Sequence, residues 1–414
     1  MDTSGRSSGT RGPLWRNRDF VLLQSGQFLS ALGGSVTSVA YPLLVLGISH
    51  SARDAGLVGF ARIVPFGLFS VLAGVATDTW NRKRLMIVSD VVGAGALATL
   101  GVLIVSGHIA VWHLLVLGFV EGTASTVFNA AWSGAFRSIV PTEQLPAAFA
   151  ANESRRAVQR LGGPPASGGL YALARAVPFV VDAISYAFST LSLLLIKTPF
   201  EEDRERDTAR VHKRIAEGFR FLWGQPFLRT CAFLYGIGNF LVPAMSLVLV
   251  VTAKRQGLSP AAIGALTATL GVGVLVGSLA SSFVRRVLSV RAILLCEFWT
   301  WSAAWLFVVR PNAYLLAAAL VLFGAAAPIT DSVVMALGLA LTPDRLVGRV
   351  QSIRLNIALL AAPVGPLVAG FLLSSTTPRT TVAVLAACGL GLALWGTLSH
   401  SIRSAPSLAE LAAK

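Results

Sequence analysis

Glu121, Asp182, Glu297 and Asp331 are carboxylates inside long apolar stretches of this chain. A charge at the middle of a membrane-spanning helix costs about 2.5–3.5 kcal/mol on insertion scales, so such a residue normally has a partner or a task. The chemistry open to an isolated carboxylate in that setting is uptake and release of a proton. Glu121, near the middle of its stretch, is the first candidate. Asp182, Glu297 and Asp331 follow, each with the plainer alternative of a helix–helix pair. Arg62 lies a few residues in from the end of another apolar stretch and can pair with an acid. Gln24, Gln27, Asn129, Asn239 and Asn356 are polar residues in apolar surroundings and are candidates to line a cavity. Arg155, Arg156 and Arg160, with Arg354, stand near the start of apolar stretches. They can gate a cavity, attract an anionic solute or bind a lipid phosphate, and the sequence leaves these roles open.

Other chemistries find no support. No Gly-x-x-x-x-Gly-Lys-Ser/Thr phosphate loop is present, which argues against ATP-driven work by this chain. His50, His108, His113, His212 and His400 fall in loops or at stretch ends and form no metal-ligand cluster. Cys231, Cys296 and Cys388 sit in apolar runs without metal-like spacing and read as small core residues. Neither an enzyme, a metal site nor a cofactor is expected. Energy for any work must then come from an ion gradient, and the carboxylates make the proton the natural ion.

The elements that position these residues follow from composition. Of 414 residues, 54% are hydrophobic and only 13% charged, with mean hydropathy +0.70, against about a quarter charged in a soluble chain. Apolar surface must face lipid, where only helices or closed barrels satisfy the backbone. The apolar stretches are continuous and do not alternate, so they predict helices. Spans are expected near 20–48, 56–76, 85–106, 109–136, 145–172 and 175–197, then near 227–252, 260–284, 291–309, 312–336, 346–373 and 379–400. The chain therefore reads as an all-α integral membrane protein of about twelve transmembrane helices in two pseudo-symmetric six-helix halves. Its parts are an arm (1–19), a first bundle (20–197), a linker (198–225), a second bundle (226–400) and a tail (401–414). The arm, Gly/Ser/Arg-rich from Met1 to Pro13, is expected to be disordered. Within the linker, the acidic run Glu201 to Asp207 precedes Lys213-Arg214 and an amphipathic piece, Ile215 to Trp223. The spacing of Ile215, Phe219 and Leu222 predicts a short helix on the membrane surface.

The 34 Lys and Arg against 19 Asp and Glu lie in loops between apolar runs, so they set topology and do not signal nucleic-acid binding. Arg16, Arg18, Arg82-Lys83-Arg84, Arg137, the linker, Arg285-Arg286, Arg291, Arg345, Arg349 and Arg403 collect on one side. Only Arg53, Arg175, Lys254-Arg255, Arg310 and Arg379 collect on the other. Both termini are expected in the cytoplasm, with the chain multi-pass in the inner (plasma) membrane. A shift of 201 superposes Glu143-Gln144-Leu145 on Asp344-Arg345-Leu346, and Pro165 to Gly169 on Pro366 to Gly370. A shift of 203 places Gly74 with Arg82-Lys83 on Gly277 with Arg285-Arg286. Parallel halves of this kind are a transporter architecture, with the binding site between them near mid-membrane.

The stretch Gly74-x-x-x-Asp78-x-x-x-Arg82-Lys83-Arg84 and its copy at Gly277 to Arg286, where Ser281 replaces the acid, resemble the major facilitator superfamily. Asn17-Arg18-Asp19-Phe20, Val140-Pro141-x-Glu143-x-Leu145, Ala151-Asn152-Glu153-Ser154 and Asp182-Ala183-Ile184-Ser185-Tyr186 resemble its macrolide-efflux and siderophore-export branch. The resemblance implies that Gly74, Asp78, Arg82, Lys83 and Arg84 form a charge latch stabilising the outward-open state, with the bases able to pair across the two halves. The alternative is a plain positive-inside anchor. Pro164-Pro165-x-x-Gly168-Gly169 and Gly365-Pro366-x-x-x-Gly370 resemble the Gly-Pro-x-x-Gly-Gly pattern of exporters, Pro164 taking a Gly position. They are expected to bend helices at the interface of the halves. The implied function is proton-coupled export of a small amphipathic molecule, such as an antibiotic, a siderophore or another natural product, by alternating access. A facilitator or importer in the same fold, or a non-transporting sensor or scaffold, remains the alternative. The expected partners are the small-molecule substrate and the bilayer, with no nucleic acid and no obligatory protein partner.

Overall fold

The computed structural model describes residues 14–200 and 211–404. The arm up to Pro13, the acidic run Glu201 to Asp207 and the tail beyond Ser404 lie outside the described residues. So do the side chains of Arg137, Lys213, Arg214 and Ile215.

Six helices form the first half: α1 (Arg18–Ile48), α2 (Ala52–Thr79), α3 (Arg82–Val105), α4 (Val111–Ile139), α5 (Leu145–Leu173) and α6 (Val177–Leu195). After α7 (Val211–Gly224), the second half comprises α8 (Pro226–Arg255), α9 (Pro260–Val287), α10 (Val290–Thr300), α11 (Trp305–Val309), α12 (Ala313–Leu341), α13 (Val347–Leu360), α14 (Val364–Ser375) and α15 (Pro378–Leu398), followed by the short α16 (His400–Arg403). Short polar turns separate the helices because side chains there cap the freed backbone donors. Asn17 accepts from the Phe20 amide, Ser51 from Asp54, Asn81 from Arg84, Ser259 from Ala262 and Ser289 from Ala292. The Asn17 amide also donates to the Ile139 carbonyl at 3.2 Å, and Asp19 accepts from the Thr198 amide at 2.9 Å. The Asn17 to Phe20 motif is thus a brace tying α1 to the ends of α4 and α6.

Among the described residues, ten helical segments are long and apolar enough to cross a membrane, α10 to α11 counting as one. The fifth and eleventh expected spans depart from that description. In α5 the linker-end portion carries Asn152, Glu153, Arg155, Arg156 and Gln159, so only the remainder is apolar. The eleventh span is two helices, α13 and α14, joined by a tight turn at Ala361–Pro363. Pro363 and Pro366 bring no amide donor, and the Ala362, Val364 and Gly365 amides fall back on carbonyls three residues earlier. At Pro164-Pro165 α5 remains one continuous helix through both prolines. The ninth span, expected to be uniform, tightens to a 3-10 turn over Trp301–Ala304.

Two seams join the halves. On one, α2 meets α14 and α13; on the other, α5 meets α9. The first packs Gly56 against Gly370 and the Pro366 carbonyl, Gly59 against Pro366, and Gly67 against Leu360. It ends with the Ser70 hydroxyl donating to Asn356 at 3.2 Å. The second packs Gly168 against Pro260, Gly264 against the Pro164 carbonyl and Gly271 against the Arg160 carbonyl. A Cβ at Gly56, Gly370, Gly168 or Gly264 would strike backbone atoms of the opposite half, so these crossings need glycine for close approach. Lys254 donating to the Leu43 carbonyl, and Arg53 4.8 Å from the Phe371 ring centroid, add to the closure. Most of these contacts lie toward the end of the molecule opposite the linker, the far end. Below Ser70, along the same face of α2, Gly74 has open space around it and Asp78 is exposed. The first seam splays toward the linker end.

At that end α7 does more than lie on a surface. Gly218 packs on Arg349 and Ile353 of α13, Leu222 is buried, and Glu217 bridges Arg349 and Arg345. Phe219 and Trp223, stacked with centroids 5.1 Å apart, remain exposed. Of the cysteines, Cys231 is buried whereas Cys296 and Cys388 face outward, which corrects their expected place in the core.

Candidate functional site

Between the halves lies a cavity of about 930 Å³, of a size that suits a small molecule. Its two walls differ in chemistry. The second half contributes chiefly Val242, Leu247, Val250, Leu270, Val274 and Phe323, with Ser246, Thr267 and Asp331 as polar interruptions. The first half contributes most of the hydroxyls, amides and charges, set among apolar residues that include Val39, Val58, Ile63, Phe66 and Phe128. On α1, Gln27, Ser30, Gly34, Ser38 and Tyr41 recur every three or four residues, so they share one helical face, and that face lines the cavity. The same wall holds Arg62, Glu121, Asn129, Asp90 and Arg160.

The strongest interaction there joins two residues singled out by the sequence. Arg62 Nε lies 3.0 Å from Glu121 Oε2, with side chains only 17% and 7% exposed. The Arg62 guanidinium also sits 3.9 Å from the centroid of the Tyr41 ring. Charge, hydrogen bond and aromatic face therefore converge on one cation. Such a pair is held by geometry, since removing either partner would leave a buried charge uncompensated.

The other candidates are distributed as follows. Asp331 is exposed on the cavity wall. Asp182 is fully buried away from the cavity, where its carboxylate accepts from Thr37 at 2.9 Å and from Ser185 at 3.1 Å. It is a joint between α1 and α6, because two hydroxyls on those helices satisfy it. Glu297 is buried in the second half, off the cavity, with Oε2 unpartnered. Gln27 and Asn129 line the cavity, the Asn129 amide donating to the Ser125 carbonyl at 2.8 Å. Gln24 is not on the wall. Asn239 is not either, its amide donating to the Tyr235 carbonyl within its own helix. Asn356 belongs to the first seam through Ser70. Arg155 donates to Asn152 at 2.6 Å and lies 5.7 Å from the Trp132 centroid, and Arg156 pairs with Glu153 at the surface. Both stand off the cavity wall, near the linker end. Of the exporter-like motif, Pro164 and Pro366 line the cavity, Gly168 and Gly370 make the seams, Gly365 packs on the Phe240 carbonyl and Gly169 faces open space.

The bases expected to pair across the halves do not do so here. Lys83 donates to the Ile196 carbonyl at 2.7 Å and Arg82 to the Phe200 carbonyl at 3.2 Å, just beyond the C-terminus of α6, while Arg84 is exposed. Cations satisfy freed carbonyls at a helix C-terminus, so these residues brace their own half. Asp78 has no ion pair among the described residues. In the copy, Gly277 packs on the Ala325 carbonyl and Arg285 donates to the Ser281 carbonyl.

Sequence reasoning missed Asp90, Tyr41 and Tyr186. Asp90 is a lone acid in the apolar run after Leu85, the very criterion that selected Glu121. The polar face of α1 was equally open to discovery from its spacing. The tyrosines gave no signal short of tertiary structure.

A family profile described as transmembrane secretion effector matches residues 8–412. The chain is 28% identical over 389 residues to the multidrug efflux pump Tap of Mycolicibacterium fortuitum, covering 91% of this chain and 92% of that protein. It is 20% identical over 353 residues to macrolide efflux protein A of Streptococcus pyogenes, covering 84% and 87%. Among solved structures, a bacterial homologue of the iron transporter ferroportin in an inward-facing state superposes with a TM-score of 0.74 at 15% identity, covering 93% and 99%.

Proposed function

The chain belongs to the transmembrane secretion effector family of the major facilitator superfamily, and from that premise we propose that it exports a small amphipathic molecule in exchange for protons. It is a membrane transporter and not an enzyme. The observation that carries the finer reading is the cavity, in which the Arg62–Glu121 pair and most of the polar groups lie on the first half and face a largely apolar second half. An amphipathic solute can lay its apolar face on the second half and its polar groups on the first. Protonation of Glu121 would cancel its attraction for Arg62, so proton binding and solute binding compete for one pair of charges. The names of the relatives support efflux of drugs or macrolides as the direction and class.

Charge distribution supports a cytoplasmic linker end and cytoplasmic termini in the inner membrane. The far-end seams being closed, the cavity then faces the cytoplasm in this conformation. Rocking of the halves would open the seams and close the linker end.

The test is efflux in a drug-hypersusceptible host carrying the wild type or Glu121→Gln. Wild type should lower cellular accumulation of at least one amphipathic drug, collapse of the proton gradient should abolish the effect, and Glu121→Gln should reproduce the collapse. Flux that survives gradient collapse would show a facilitator instead.

A further inference from the structure

The proposed mechanism leaves two carboxylates on the cavity wall without a task, Asp331 and Asp90, and of these Asp90 is the buried one. It is fully buried, and neither oxygen has a hydrogen-bond partner. The Ser189 hydroxyl of α6 lies beside it without completing a hydrogen bond of normal geometry. Helix α3 packs on α4 and α6. The ionisable groups on those neighbours that gather around this region are Tyr186 and Asp182 of α6 and Glu121 of α4, with Arg62 of α2 behind Glu121. Tyr186 stands within electrostatic reach of Glu121, Asp182, Asp90 and Arg62 together, its ring packed on Gly93, one turn beyond Asp90. The single cation of the group is already taken by Glu121.

An ionised carboxylate in such a place, with neither cation nor hydrogen bond, would cost several kcal/mol, and such groups take up a proton instead. Position along the helices adds direction. Asp90 lies eight residues beyond Arg82, the linker-end start of α3, or about 12 Å in at 1.5 Å per residue. Glu121 lies eighteen residues from Ile139, the linker-end terminus of α4, or about 27 Å in. Asp90 therefore stands between Glu121 and the linker side, on the wall of the same cavity.

We propose that Asp90 is a proton relay, holding as a neutral acid the proton that Glu121 gives up when it pairs with Arg62, and passing it to water at the linker end. This rests on the proton-coupled reading above. The structure is then the state after transfer and before release. Glu121 is ionised against Arg62 and Asp90 carries the O–H. In the release step that O–H bond breaks, a cavity water gains the proton, and no electron changes hands.

Two measurements on the full-length protein test it. In infrared difference spectra at neutral pH, wild type minus Asp90→Asn should show the carbonyl stretch of one protonated carboxylic acid. In proteoliposomes with an acidic interior, with ethidium as the transported probe, Asp90→Asn should lose gradient-driven accumulation by about tenfold, within the usual span of a coupling free energy. It should keep ethidium counterflow at equal pH, a readout that misfolding would also abolish, and Asp90→Glu should restore part of the accumulation. A difference spectrum without the band, or Asp90→Asn accumulating like the wild type, overturns the relay alone. A wild type that performs counterflow yet gains nothing from the gradient overturns the proton-coupled reading, and the relay with it.

Discussion

Enlarging Gly370 should tip the molecule out of the conformation described here. A Cβ at this position would meet the Ala52 carbonyl and lie 2.8 Å from the Gly56 Cα, both backbone atoms of the opposite half. Neither can rotate away, so the helices must separate. Overpacking a close contact costs about 1–3 kcal/mol. Because the contact exists only while the far end is closed, that cost falls on one state alone. It converts to a shift of about 5–150-fold in the equilibrium between far-end-closed and far-end-open forms. The assay is electron–electron distance measurement between spin labels replacing His50 and Gln256, at the far ends of α1 and α8. Cys231, Cys296 and Cys388 are first changed to serine or alanine. Gly370→Val should move the distribution toward longer far-end distances, with a matching gain in far-side alkylation of a cysteine placed at Ser38 on the cavity wall. Gly169→Val, at a position with nothing around it, should leave both unchanged. A folded Gly370→Val protein with the wild-type distance distribution would refute the claim that this glycine crossing holds the far end shut.

The remaining predictions concern the buried joint and the open latch. Asp182→Ala, which removes the acceptor for Thr37 and Ser185, should cost about 2 kcal/mol of stability and lower the thermal midpoint in detergent, whereas Asp182→Asn should keep most of both stability and gradient-driven transport. A selective loss of proton coupling in a fully stable Asp182→Asn protein would contradict the structural role. Asp78→Asn should leave the far-end-closed state untouched, since Asp78 has no ion pair there, but depopulate the state closed at the linker end. Spin labels on Trp80 and Arg345 would report this, and an unchanged distribution under conditions that favour that state would remove the latch.

What the sequence disclosed was whatever hydropathy and local chemistry determine by themselves. Span positions follow from apolar length, and the two halves from motifs at nearly constant offset. The broken eleventh span was written in Pro363 and Pro366, whereas the paired prolines of α5 leave one continuous helix. Two prolines in one helix need not interrupt it when neighbouring groups satisfy the freed carbonyls. Between α13 and α14 the chain yields at the first of its two prolines instead. Nothing local separates these outcomes, because they depend on what packs alongside.

The same limit divides the acids. Glu121, Asp182, Glu297 and Asp331 look alike as carboxylates in apolar runs, yet one is paired with Arg62, one is satisfied by hydroxyls, one is sealed in the second half and one is open to the cavity. Which face of a helix meets the cavity is a property of the bundle, not of the helix. The latch motif would add a further reason for incomplete prediction if, as proposed, its residues act in the other conformation. Along one face of α2, Gly67 and Ser70 touch the second half, while Gly74 and Asp78, four to eleven residues further, have no partner there among the described residues. A glycine and an acid kept on an unoccupied face make sense if that face is filled in the other state. Gly56 and Gly370 then hold one end of the seam and Gly74 and Asp78 await the other, so that a single helix carries a closure for each side of the membrane. The small residues at both ends of α2 set how closely the halves can approach in either state, while the charges near its middle, Arg62 with Glu121, sit where both states must share them.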